Sequence, residues 1–195
     1  MRERLAALLL AALLLPAGAL AQADAEKLRA AKALFFDRQY AQAREAWQVV
    51  RASGRGADAQ AAQYWVARCS ESLGESERSL GEYAEYLASR PADRALAEEA
   101  KTSRVALAVK LAKAGKTQHL EVARDALDDP NRTVRYFAAL QLASLGTGEG
   151  KAAVPVLREI LAQEKDEDLV ERVRREVDER QLLMRIRLMT RELEG

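Results

Sequence analysis

Leu127-Asp-Asp-Pro-Asn-Arg-Thr-Val-Arg-Tyr-Phe-Ala-Ala-Leu-Gln-Leu-Ala-Ser-Leu-Gly146 is the stretch that organises this chain. It reads as the end of one helix, a tight turn at Asp129-Pro130, and a second helix carrying Ala138, Ala139 and Leu142 on one face. Gly146 closes that helix, because a residue in the left-handed conformation can end a helical ladder. A helix, a turn and an amphipathic helix make the joint of a stacked array, which offers an extended surface rather than a catalytic pocket.

The rest of the chain follows the same grammar. Ala, Leu, Glu and Arg dominate, and these favour helices. No stretch sustains the period-2 pattern of a strand. Asp24 is placed to cap a helix bearing Leu28, Ala31 and Phe35. Asp37-Arg38-Gln39 is a short turn, and Tyr40 to Val50 is the next helix, with Ala43, Trp47 and Val50 inward. Ser53-Gly54-Arg55-Gly56 is a break, after which Asp58 caps a helix that ends at Gly74. Ser76 opens another helix, which Pro91 ends. Asp93 caps a longer one that stops at Gly115. Helices at about 118–127, 132–145 and 151–163 follow, and a last one runs from about Asp168 towards Gly195. The expected fold is all-α, a solenoid of helical hairpins.

Residues 26–52 and 62–91 align as two hairpins. Ala31 and Ala67 fall at one position, 36 residues apart, close to a period of about 34. Tyr40 and Ser76 open the second helices, and Trp47 and Tyr83 supply a bulky wedge seven residues on. With its Gly74 turn and closing Pro91, the second unit resembles a tetratricopeptide repeat, similar to those of periplasmic bacterial envelope proteins. The first unit lacks the closing proline. This resemblance spans about residues 24–114 and implies a concave groove lined by Lys32, Phe36, Tyr64 and Arg68. Residues from about 117 to 180 resemble HEAT repeats. There the turn residue Asp129 and the helix-opening Arg135 are expected to be structural, and Ala138 and Ala139 to pack. The unit beginning at Asp166 departs from the pattern, as terminal repeats do.

The N-terminus states an address. Arg2 and Arg4 precede an apolar run from Leu5 to Leu15, then Pro16 and Gly18, then Ala19-Leu20-Ala21. This is the layout of a cleaved signal peptide, and the run is shorter than the roughly 20 residues of a membrane span. An uncleaved anchor is the alternative. Cleavage after Ala21 removes Arg2, Arg4 and Glu3, taking Lys+Arg from 31 to 29 and Asp+Glu from 30 to 29. The mature chain, starting at Gln22, is then neutral and has no field to hold nucleic acid. Cys69 is the single cysteine, so no internal disulfide forms.

Few residues suggest chemistry. His119 is the single histidine, and a Cys69–His119 dyad would need two separate repeats to converge. Asp128-Asp129 and Asp166-Glu167-Asp168 precede helices, where acids favour the positive end of the dipole, and their spacing fits no calcium loop. Gly146 to Gly150 follows a helix and lacks the Lys-Ser/Thr ending of a phosphate loop. The last helix carries Leu169, Val173, Val177, Leu182, Leu183, Ile186, Met189 and Leu193. It is either a solvated cap or a self-association helix.

The expectation is therefore a non-enzymatic scaffold, periplasmic or secreted, with no cofactor and no metal. Its partner would be a protein or an extended peptide. A signal peptide at 1–21 precedes tetratricopeptide-like repeats at 22–115 and HEAT-like repeats at 116–195. The alternative is an accessory regulator that binds an envelope signalling protein through the HEAT-like half.

Overall fold

A computed structural model describes residues 17–146 and 148–163, together with Glu167 and Glu171. The expected signal peptide lies outside these residues as far as residue 16. So does the last helix expected from about Asp168, read as a cap or a self-association helix, apart from Glu171. Every described element is helical: α1 (Ala17–Phe36), α2 (Tyr40–Ser53), α3 (Ala57–Ser72), α4 (Ser76–Ala88), α5 (Arg94–Lys113), α6 (Glu121–Asp125), α7 (Arg132–Ala143) and α8 (Gly150–Gln163). Single 3₁₀ turns, Thr117–Leu120 and Ala126–Asp128, flank α6. Helices pack on their sequence neighbours, α2 on α1 and α3, and α7 on α8. The all-α repeat architecture expected from the periodicity is present.

The helix ends follow from local chemistry. At Gly74 (φ 79°) and Gly115 (φ 89°) the chain enters the left-handed region. The next residues, Glu75 and Lys116, donate their N–H groups back to Ser70 and Leu111 at 3.0 and 2.9 Å, which satisfies carbonyls the helix leaves open. Asp93 caps α5, accepting from the N–H groups of Ala95 and Leu96 at 2.9 and 3.0 Å.

Four expectations need correction. α1 covers Ala17 to Asp24 as well, because the alanine-rich stretch ahead of Asp24 favours a helix; Asp24 is an interior residue paired with Lys27. α2 extends to Ser53, so the break shrinks to Gly54-Arg55-Gly56. Asp58 lies inside the first turn of α3, after Gly56 at φ 59°. The segment expected as one helix over 118–127 is a short α-helix between two 3₁₀ turns.

The chain divides between Glu82 and Tyr83 into two compact units. The first has a core of Ala31, Ala43, Trp47, Val50, Ala62, Val66 and Cys69. The second has a core from Val105 to Ile160, including Leu120, Leu142 and Leu157. Both cores place alanines with no exposed surface at the helix crossings: Ala31, Ala43 and Ala62 in one, Ala123, Ala138, Ala139 and Ala153 in the other. A methyl side chain lets two helices approach closely, so the crossings are set by small residues and the gaps are filled by large ones.

Candidate interaction surfaces and the repeat joint

Aromatic residues concentrate in α1–α3. Phe35 touches Trp65 edge-on, with ring centroids 4.9 Å apart, and Trp65 stacks on Trp47 at 5.6 Å and 11°. Tyr40 and Phe36 close on Phe35 at 5.4 and 6.0 Å. The cluster grades from buried to exposed. Trp47 is 1% exposed, whereas Phe36 is 72% exposed and is the most exposed large apolar side chain among the described residues. Lys32, one turn earlier on α1, is also exposed.

The four residues expected to line a groove therefore separate. Lys32 and Phe36 lie on the open surface of α1. Tyr64 is 1% exposed and meets Trp65 edge-on at 5.4 Å, which makes it a packing residue and corrects the expectation that it faces a partner. Arg68 is half-buried and pairs with Glu71 at 2.9 Å. The sequence places Trp65 on the same helix, next to Tyr64, but assigns it no role. On a helix adjacent residues point about 100° apart, and here Trp65 holds the junction between the buried and exposed rings.

The positions assigned to repeat packing are placed as follows. Ala31, Trp47, Ala67, Tyr83, Ala138 and Ala139 are all buried. Pro91 is half-buried, just after Arg90 at φ 52°. Ser79, itself buried, donates its hydroxyl to the Ala67 carbonyl at 2.9 Å, so a polar residue sits at a crossing without an open hydrogen bond. Beside it Arg44 reaches Ser70 and Glu75. Its hydrogen bond holds the Glu75 carboxyl below the usual range.

The joint around Asp129 is a polar clamp drawn from three helices. Asp129 accepts from Lys101 of α5 at 2.6 Å and from the N–H of Asn131 at 2.8 Å. Asn131, rather than Asp128 or Asp129, caps α7 by accepting from the N–H of Thr133 at 2.8 Å, and its side-chain amide donates to Glu98 of α5 at 2.7 Å. Arg135 of α7 donates to the carbonyls of Asp129 and Pro130 at 3.0 and 3.2 Å and to Glu159 of α8 at 2.9 Å. Asp129 and Arg135 thus act in opposite directions, one back to α5 and the other forward to α8. Charge-assisted bonds to turn carbonyls fix a geometry that a surface ion pair alone would not.

Cys69 and His119 belong to different units. Cys69 is fully buried. Burial pushes its thiol up to about 12, an effect that Glu82 adds to and that Arg44 and Arg68 partly offset. A thiol raised that far carries roughly a thousandfold less thiolate near neutral pH than an ordinary cysteine. The folded protein is therefore expected to resist alkylation by iodoacetamide at pH 8 and to react fully once denatured. Rapid alkylation of the native chain would show that Cys69 is open. Among the described residues no group of three His, Cys, Asp or Glu side chains could hold a metal ion. No described helix is long and apolar enough to cross a membrane.

Residues 91–177 match the HEAT repeats family, a stretch of somewhat under half the chain. The match takes in α5, the Asp129 clamp, α7 and α8, so this part of the chain is HEAT-like in both sequence and helical packing. It begins at Pro91, ahead of α5, a helix the sequence reading placed with the first half. No tetratricopeptide family matches, and no curated protein and no solved structure matches the chain.

Proposed function

We propose that this chain is a non-enzymatic scaffold of the bacterial envelope, exported by a cleaved signal peptide and built to bind a protein partner. The observation that carries the reading is the run α5–α8, whose helices pack in sequence order and match HEAT repeats. Repeats of this kind commonly mediate protein–protein interaction, because stacked hairpins make a long surface whose exposed residues can vary without disturbing the core. The leader layout, Arg2 and Arg4 followed by Leu5 to Leu15 and Ala19-Leu20-Ala21, supports export. The alignment of residues 26–52 with 62–91 supports tetratricopeptide-like hairpins in the first half.

In this reading the working surface of the first unit is the open side of α1 at Lys32 and Phe36. An exposed ring beside a cation suits an extended peptide with acidic and apolar character. A Lys32→Ala, Phe36→Ala variant is expected to keep its helical circular dichroism and its melting temperature, since both side chains are exposed. It should also lose the partner captured by the wild-type mature chain from an envelope extract. Undiminished capture would favour the second reading, an accessory regulator that binds through the HEAT-like half. The position of the family match is the observation behind that alternative.

A further inference from the structure

Five described arginines are half-buried: Arg44, Arg68, Arg104, Arg124 and Arg135. Four of them hold a carboxylate. Arg44 pairs with Glu75, Arg68 with Glu71, Arg124 with Glu149 and Arg135 with Glu159. Arg104, in the middle of α5, is the exception. No hydrogen bond or ion pair joins its side chain to another described residue. Residues three and four positions away share its face of the helix. Ala100, Leu107 and Ala108 among them are buried, and Lys101 is already engaged with Asp129. The Nε–H of Arg104 is itself buried and meets no acceptor among the described residues. Nη1 and Nη2 are not enclosed in this way, so the outer end of the guanidinium is open.

A cation in this position is poorly served by its own chain. Burial pushes the Arg104 guanidinium below its ordinary pKa, and the charge of Asp125 offsets that only through space. Asp125 is exposed, and no ion pair joins the two. A half-desolvated charge gains strongly from a counter-ion, because attraction grows as the local dielectric falls. Two parallel N–H donors match the two oxygens of a carboxylate, and Nη1 and Nη2 present that fork end-on. A phosphate could use the same fork. Asp125 already places one negative charge beside the site, however, so a monoanion meets less repulsion than a dianion. We propose that Nη1 and Nη2 of Arg104 bind a carboxylate supplied from outside the chain, as the other half-buried arginines bind one from within it. The carboxylate belongs either to an acidic side chain of a partner or to a free small acid. This site is separate from Lys32 and Phe36 and stands whether or not that surface binds.

The test follows the arginine Nε–H signals of the ¹⁵N-labelled full-length chain by nuclear magnetic resonance at neutral pH. Sodium acetate, sodium phosphate and sodium chloride are titrated at matched ionic strength. Acetate should move one signal along a saturating curve, and that signal should be absent from Arg104→Met. Phosphate should act more weakly, and chloride should give no saturating shift. Asp125→Asn removes the neighbouring negative charge and should tighten acetate binding severalfold. The peptide acetyl-Gly-Glu-Gly-amide separates the two sources: tighter binding than acetate assigns the carboxylate to a partner's side chain, and equal binding assigns it to a free acid. An Arg104 signal that follows acetate and chloride alike would show charge screening without a site, and would overturn the proposal. So would saturation by phosphate at lower concentration than by acetate, or acetate binding that Asp125→Asn leaves unchanged. Arg104→Met keeps the apolar stem and deletes a charge that makes no internal bond, so it should melt at or above the wild-type temperature. Melting more than about 4 °C lower would mean that the guanidinium already has an internal partner, which also overturns the proposal.

Discussion

Trp47→Ala is expected to lower the stability of the first unit by about 3–5 kcal/mol, the range for removing a large buried aromatic side chain. Trp47 is 1% exposed, in a core whose other buried residues are alanines, valines and one cysteine, with Leu28, Leu34, Phe35 and Trp65 packed against it. The small buried side chains among these neighbours cannot expand to fill the gap. The substitution also removes the partner on which Trp65 stacks, and aromatic pairs contribute about 0.5–1.5 kcal/mol beyond area. The indole N–H of Trp47 is buried without an acceptor among the described residues. Trp47→Phe, which keeps a ring and deletes that orphan donor, should therefore cost less than Trp47→Ala. Urea unfolding followed by circular dichroism measures both. A loss below about 1 kcal/mol for Trp47→Ala would mean that the core collapses around the gap, against the packing described here.

The second large effect is expected at the joint. Ala139 has no exposed surface and belongs to the core that includes Ala138, Ala123, Leu142 and Leu157. Ala139→Leu adds three carbons where helices cross at a methyl group. Overpacking of this kind costs about 1–3 kcal/mol. Arg132→Ala, seven residues earlier on the same helix, is the contrast. Arg132 is exposed, and its guanidinium lies over the Tyr136 ring at 5.7 Å, so its loss should cost about 0.5 kcal/mol or less. Melting of the two variants side by side separates them. Equal melting temperatures would show that the buried face of α7 is misplaced.

The fold was legible where local chemistry decides it. Ala138, Ala139 and Leu142 lie on one helical face whatever surrounds them, and Pro130 cannot continue a helix ladder. Gly74 and Gly115 stand where a left-handed residue was needed, and Asp93 caps as its position before a helix foretold. What stayed hidden depends on distant partners. Asp128, Asp129 and Asn131 are all competent caps by sequence. The choice falls to Asn131 while Asp129 is held by Lys101, 28 residues earlier. Arg135 reads as structural in the sequence, yet Glu159, its forward partner, gives no sign of that role because glutamates are common on helices. Tyr64 and Trp65 could not be told apart as groove or core residues, since the rotation of α3 is set by what packs against it. The helical stretch of α1 ahead of Asp24 is hidden for a simpler reason: alanine-rich sequence of the kind expected in a leader also favours a helix.

The stacked pair of indoles in the first unit has an optical consequence. Trp47 and Trp65 are the only tryptophans in the chain, and both lie on the N-terminal side of the division at Glu82. Intrinsic emission excited at the red edge of indole absorption therefore reports one unit alone, whereas amide ellipticity sums over every helix. A single melt recorded through both channels would carry two signals. Any transition seen in ellipticity but silent in emission would belong to the second unit, so the wild-type chain can resolve the order in which its parts unfold without an added label.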